Sequence, residues 1–148
     1  MIMFAIDTNI FIYAHNVGSA FHTKAAAFIK KIVAERDENG RHVVGVPAQV
    51  YAEFINVITR QTIEKPLSLA DAILAVEKYI KAGVPIIHTQ PTQLHTFLEL
   101  AKSTTTRKKT FDIFLAATLK DNGIEDFYTV NIDDFQHFPF LKLVNPLA

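Results

Sequence analysis

The sequence predicts a three-layer α/β/α sandwich around a five-stranded parallel sheet, on three observations. Short apolar runs alternate with helical patterns from one end of the chain to the other, and strands separated by helices imply right-handed crossovers with helices on both faces of a sheet. The runs are mostly apolar on both faces, as strands covered on both sides are. No internal repeat, low-complexity tract or Ser/Gly-rich linker interrupts the 148 residues. One domain over residues 1–148 is therefore expected, long enough to bury roughly two-thirds of its unfolded surface.

The elements follow in order. Met1 to Ile6 is the first strand, and Asp7 is placed to cap a short helix from Thr8 to Ala14. Phe21, Ala25, Phe28, Ile29, Ile32 and Val33 recur with helical period, with Asn39-Gly40 as the stop. His42 to Val46 is the second strand. Pro47 suits the first turn of the helix that follows, whose apolar stripe is Val50, Phe54, Val57 and Ile58. Ser68 caps a helix carrying Leu69, Ala72, Ile73, Val76, Tyr79 and Ile80, which Gly83 ends. After a third strand, Val84 to His88, Thr92 caps a helix showing Leu94, Phe97, Leu98 and Ala101. A polar loop leads to a nearly all-apolar helix from Asp112 to about Asp121, closed by Asn122-Gly123 and therefore central. Asp126 to Val130 and Leu141 to Val144 are the last two strands.

Composition narrows the chemistry. There is no cysteine, which excludes disulfides, thiolate metal sites and cysteine nucleophiles and favours a cytoplasmic setting. The opening apolar run is broken by Asp7 and has no basic segment before it, so no signal peptide is expected; no stretch approaches the ~20 apolar residues of a membrane span. Fifteen basic residues balance fifteen acidic ones, so the whole chain sets up no net field to draw in a polyanion. A phosphate backbone is gripped by a patch rather than by a sum, and the dense basic patch, Arg107-Lys108-Lys109 just before Asp112, suits either a solvated loop or a grip on RNA phosphates. Twelve Phe and four Tyr read mainly as core and dimer surface.

Ligands in such folds bind beyond the carboxyl ends of the strands. Asp7 directly follows strand one and Asn131 strand four, Glu53 lies one to two turns into the helix after strand two, and Asp112 starts the helix leading into strand four. All four can converge. Each acid has a structural alternative: Asp7 and Asp112 as helix-start residues, Glu53 as the partner of Arg60 or Arg41. Glu53, however, shares its helix face with Val50 and Val57, where an unpaired carboxylate is costly. Two like charges ~4 Å apart repel by about 4 kcal/mol at a protein-surface dielectric, so a cluster needs a cation. With histidines scattered singly, an oxygen-only set selects Mg²⁺ or Mn²⁺ over zinc. Such ions activate water and stabilise the leaving oxygen of a phosphodiester. Thr8, Asn9 and Thr129 are positioned to support the carboxylates, or to serve turns and caps. Asp133 and Asp134 suit local hydrogen bonding in a turn or, alternatively, a fourth acid.

These segments resemble a PIN domain, and in particular the VapC-type toxin ribonucleases of prokaryotic toxin–antitoxin pairs. The likeness rests on Phe4-Ala5-Ile6-Asp7-Thr8-Asn9-Ile10-Phe11-Ile12-Tyr13, on Glu53 in the helix after strand two, on Phe111-Asp112-Ile113-Phe114-Leu115-Ala116-Ala117, and on Tyr128-Thr129-Val130-Asn131-Ile132-Asp133-Asp134-Phe135. The closing Leu141-Lys142-Leu143-Val144-Asn145-Pro146 resembles that family's terminal strand. The resemblance implies Mg²⁺- or Mn²⁺-dependent endonuclease action on RNA, frequent homodimers, and neutralisation by a co-encoded antitoxin. It makes Asp7 and Asp112 the main metal ligands, with Glu53 completing the acidic cluster. One position departs: Asn131 stands where many relatives have a fourth acid, leaving Asn131, Asp133 and Asp134 as alternatives for that corner. Two other classes start from the same residues. A haloacid-dehalogenase-type phosphatase also begins with an acid after strand one but wants a second acid where Asn9 stands, and a catalytically weakened PIN-like fold would serve as a protein- or RNA-binding module.

Overall fold

The structure, a computed structural model, describes residues 3–104 and 109–148. Five strands, β1 (Phe4–Ile6), β2 (Val44–Pro47), β3 (Ile86–Ile87), β4 (Asp126–Tyr128) and β5 (Lys142–Val144), form one sheet in the order β3-β2-β1-β4-β5, every pair parallel. Between them run α1 (Thr8–His15), α2 (His22–Ala34), α3 (Ala48–Ile58), α4 (Leu69–Lys81), α5 (Gln93–Ala101), α6 (Thr110–Asp121) and the single turn α7 (Ile132–Phe135). Helix α1 packs on α2 and α3, and α3 on α4, while α5 packs on α6 and α6 on α7. Right-handed crossovers place these two groups on opposite faces of the sheet, giving the expected three layers. No helix among the described residues is long and apolar enough to cross a membrane.

The strands are shorter than the apolar runs that announce them, because a run marks burial whereas a strand needs a neighbour to pair with. Val84 and Leu141 are buried yet lie outside the ladders. Asn39-Gly40 does not end the second helix. That helix stops at Ala34, and the dipeptide instead sits in a turn closed by Asp37, whose Oδ1 accepts from Asn39 N–H (2.8 Å) and Arg41 N–H (3.0 Å), with Gly40 at φ 75°. Ser68 caps α4 by accepting from Asp71 N–H at 3.1 Å. Thr92 makes no such bond to α5; the residue anchoring that helix is Gln93, buried and donating to Phe114 O and Thr118 Oγ1. The apolar stripes are also wider than the faces that are covered, since Leu69, Ile73 and Ile80 of α4 and Leu94 and Leu98 of α5 are exposed.

Strand order positions the site. The chain steps outward from β1 through β2 to β3, then returns to lay β4 on the other side of β1. The reversal opens a crevice between the carboxyl ends of β1 and β4, across which Asp7 N–H donates to Tyr128 O at 2.9 Å.

Candidate active site

Asp7 leaves β1 into that crevice and is only 5% exposed. Its carboxylate is held from two sides: Oδ1 accepts from Thr8 N–H at 2.8 Å and Oδ2 from the Thr129 hydroxyl at 2.7 Å. The bond from Thr8 starts α1, so the helix-start role and the site role belong to one side chain. Thr129 is fully buried just beyond β4. Replacing it with valine preserves shape but removes a donor from a buried carboxylate, and should cost ~1–3 kcal/mol in urea unfolding, whereas Thr129→Ser, which keeps the hydroxyl, should avoid most of that loss.

Glu53 comes from the second turn of α3. Oε2 accepts from Thr8 Oγ1 at 3.0 Å and Oε1 from Gln49 Nε2 at 2.9 Å. Neither Arg60 nor Arg41 forms an ion pair with it among the described residues. The same Gln49 amide donates to Phe111 O at 2.9 Å, fastening the start of α3 to the start of α6. Helix α6 must begin at the carboxyl edge of the sheet in order to run back to the start of β4, and its first turn carries Asp112 to the crevice. The buried run Leu115 to Leu119 fixes the helix against the sheet.

The electrostatics report convergence. Burial pushes the Asp7 carboxyl up to about 6, the Thr129 and Thr8 hydrogen bonds pull it back, and the charges of Glu53 and Asp134 add to the rise. Asp112 is also pushed up to about 6, by burial first and then by the charges of Asp134, Asp7 and Glu53, while Lys109 opposes the shift. Asp7, Glu53, Asp112 and Asn131 open onto one cavity of about 630 Å³, which Thr8 and Asn9 also line. Asn131 lines it too, while its backbone N–H donates to Thr129 Oγ1 at 3.0 Å. Asp133 is exposed and is not among the charges that shift Asp7 or Asp112, whereas Asp134 shifts both. Lys109 Nζ lies 3.8 Å from Asp134 Oδ1, turned toward the acids. Arg107 and Lys108 lie outside the described residues.

All the candidate ligands are oxygens, and acids that raise one another's pKa form the kind of set that a hard cation relieves. Among the described residues no three acidic or histidine side chains form a group set to hold a metal as they stand. Glu53 is drawn to Thr8 and Gln49, and Asp7 to Thr8 and Thr129. The donor chemistry, oxygen-only and acidic, is that of a divalent-ion site.

A family model described as the PIN domain matches residues 4–141. The chain belongs to the PIN domain family. PIN domain ribonucleases are generally dependent on a divalent metal. Ribonuclease VapC24 of Mycobacterium tuberculosis (strain ATCC 25618 / H37Rv) is 29% identical over 148 residues, spanning 99% of this chain and 98% of that protein. Among solved structures, Mycobacterium tuberculosis VapC20, described as a Sarcin-Ricin loop cleaving toxin, superposes with a TM-score of 0.65 at 19% identity, covering 91% of this chain and 95% of that one. VapBC2 from Rickettsia felis, bound to a DNA fragment from its promoter, gives 0.64 at 16% identity, covering 97% and 98%. Both share the PIN fold.

Two features of this PIN domain escape sequence reasoning. Gln49 has a signal, since it precedes Glu53 by four residues on one helix face, but its bond to Phe111 O spans 62 positions. That Asp134 is half-buried and Asp133 exposed depends on how the α7 turn is set down. Asp134 N–H donates to Asn131 O at 3.1 Å, and nothing in the dipeptide itself says which acid faces inward.

Proposed function

We propose that the chain is a Mg²⁺- or Mn²⁺-dependent endoribonuclease, the toxin of a type II toxin–antitoxin pair, hydrolysing RNA phosphodiester bonds. The observation that carries this reading is the meeting of Asp7, Glu53 and Asp112, from three separated segments, on one cavity at the strand-order reversal of a PIN fold. A relative spanning nearly the whole chain is named a ribonuclease, and the Rickettsia felis structure is of a VapBC pair; these support an RNA substrate and a co-encoded antitoxin. The cytoplasm is the setting this reading implies.

Asp7 and Asp112 would hold the ion with Glu53, and Asn131 and Asp134 would furnish the fourth corner. When bound, such an ion makes water nucleophilic and stabilises the leaving oxygen of a phosphodiester. The chain's own contribution is positioning. Thr129 and the Thr8 N–H aim Asp7, Thr8 Oγ1 and Gln49 aim Glu53, and the burial of Asp7 keeps bulk water from the inner wall.

Cleavage of a labelled oligoribonucleotide should disappear in chelator and return with Mg²⁺ or Mn²⁺; activity indifferent to chelator would sink the reading. Protons compete with the ion for Asp7 and Asp112, both near 6. The half-saturating Mn²⁺ concentration should therefore fall as pH rises from 5 to 7 and level off above, as titration calorimetry would show.

A further inference from the structure

One wall of the acidic cavity belongs to α3 and the turn that follows it. Gln49, Glu53, Asn56 and Arg60 recur there at helical spacing and all line the cavity, and Arg60 N–H still bonds Val57 O at 3.0 Å, continuing the turn. Arg60 stands seven residues beyond Glu53, about 10 Å farther along the helix axis. Among the described residues lining this cavity it is the only cation. Its side chain is exposed, makes no ion pair among the described residues, and is not among the charges that shift Asp7 or Asp112. A guanidinium at the mouth of an acidic cavity, bound to none of its acids, is left available to an anion that enters from outside.

Phe111 lines the same cavity. It is 71% exposed, more than any other large apolar residue described, while Ile113 and Leu115 just beyond it are buried. Its ring meets no other aromatic ring among the described residues. Its backbone is not loose, because Gln49 Nε2 holds Phe111 O at 2.9 Å. The sequence thus keeps a large apolar ring in water, on an anchored backbone, next to Asp112.

The geometry points to Arg60 and Phe111 as the residues that hold the substrate strand against the acids. The guanidinium takes a phosphate neighbouring the one under attack, and the Phe111 ring stacks on a base. This rests on the ribonuclease reading above and adds to it which side chains grip the strand and in what form. The forked guanidinium matches phosphate oxygens in pairs. An aromatic face receives only a base that is splayed out of a helix, so the strand in the groove is unpaired. With no net charge to supply a broad field, one well-placed cation and one stacking ring give the hold a defined position rather than general attraction.

The test uses an unstructured, fluorescently labelled oligoribonucleotide bound to protein carrying Asp112→Asn, so that anisotropy reads binding without turnover. Adding Arg60→Ala should weaken binding about tenfold and reduce the slope of log affinity against log salt by about 0.7, one single-strand phosphate contact, with Arg60→Lys recovering part of both. Adding Phe111→Ala should also weaken binding about tenfold but leave the salt slope alone, with Phe111→Trp restoring it. In the active protein the same changes should act on KM far more than on kcat, and melting temperatures should hold, since both side chains are exposed. The inference is overturned if the parent fails to retain the probe, if both alanine variants bind as the parent does, or if a fully paired duplex of the same sequence competes equally well. Chelator-sensitive cleavage alongside such unaffected binding would leave the ribonuclease reading standing. Absence of cleavage with either metal would remove that reading, while the binding series would still report on Arg60 and Phe111.

Discussion

Asp112→Asn and Asp7→Asn should each reduce RNA cleavage by more than about a hundredfold, beyond the 10–100-fold typical of groups that merely support a metal ligand. Both carboxylates are raised to about 6 by burial and by neighbouring acids, an arrangement that costs stability in the empty fold and that a bound cation would relieve. An amide keeps the shape and removes the charge that attracts the ion. The measurement is single-turnover cleavage of a labelled oligoribonucleotide at saturating Mn²⁺, with circular dichroism to establish that the variants fold. The neighbouring acids sharpen the test. Asp134→Asn should lower activity tenfold or more, and Asp133→Asn should leave it near the parent's, because of the two only Asp134 adds to the shifts of Asp7 and Asp112. Equal effects at 133 and 134, or near-normal cleavage by Asp112→Asn, would overturn the proposed ligand set.

The same Asp7→Asn change should make the metal-free protein more stable at neutral pH, by up to ~3 kcal/mol. The Asp7 carboxyl is raised from 3.8 to about 6, so the folded state holds its proton more tightly than the unfolded state does. The resulting stability is fully present below 3.8 and is lost as pH rises to and through 6. At 1.36 kcal/mol per unit, the loss over about two units approaches 3 kcal/mol. Asparagine carries no charge to desolvate. Its Oδ1 can still accept from Thr8 N–H, although the Thr129 proton loses its acceptor, which trims the gain. Thermal scans in chelator should therefore show the variant melting several degrees higher at pH 7 and level with the parent at pH 4 or below. Added Mn²⁺ should narrow the gap at pH 7 by binding the folded parent. A gap that is independent of pH, or that favours the parent at pH 7, would mean that Asp7 is stabilised as a carboxylate and not strained as one.

Much of this was legible in the chain because alternation of strand and helix is written in local periodicity. The five strands, the carboxyl-edge placement of Asp7 and Asn131, and the central apolar helix after Asp112 all follow from residues close to one another in sequence. The readings that failed concern competition between local signals. Asn39-Gly40 carries a helix-stop signature, yet the Asp37 side chain captures the neighbouring N–H groups and makes it a turn two residues past an extended segment. Thr92 is a good capping residue in type, yet its backbone sits in the helical region and offers no cap. Apolar residues on α4 and α5 promise burial, but how much of a helix face is covered depends on neighbours that no local pattern names.

The sequence by itself determined the fold class and the three acids that share one end of the sheet, because both rest on residue type and period; the family was legible as a resemblance of motifs. Only the tertiary structure decided which groups hold those acids and which face away. The bonds from Thr8 to Glu53, from Thr129 to Asp7 and from Gln49 to Phe111 span 45, 122 and 62 positions, and that Asp134 is half-buried while Asp133 is exposed depends on the seating of one short turn. Such contacts are products of packing. A hydrogen bond is directional and spans about 3 Å, so its partner is fixed by where two elements come to rest against each other rather than by either element alone.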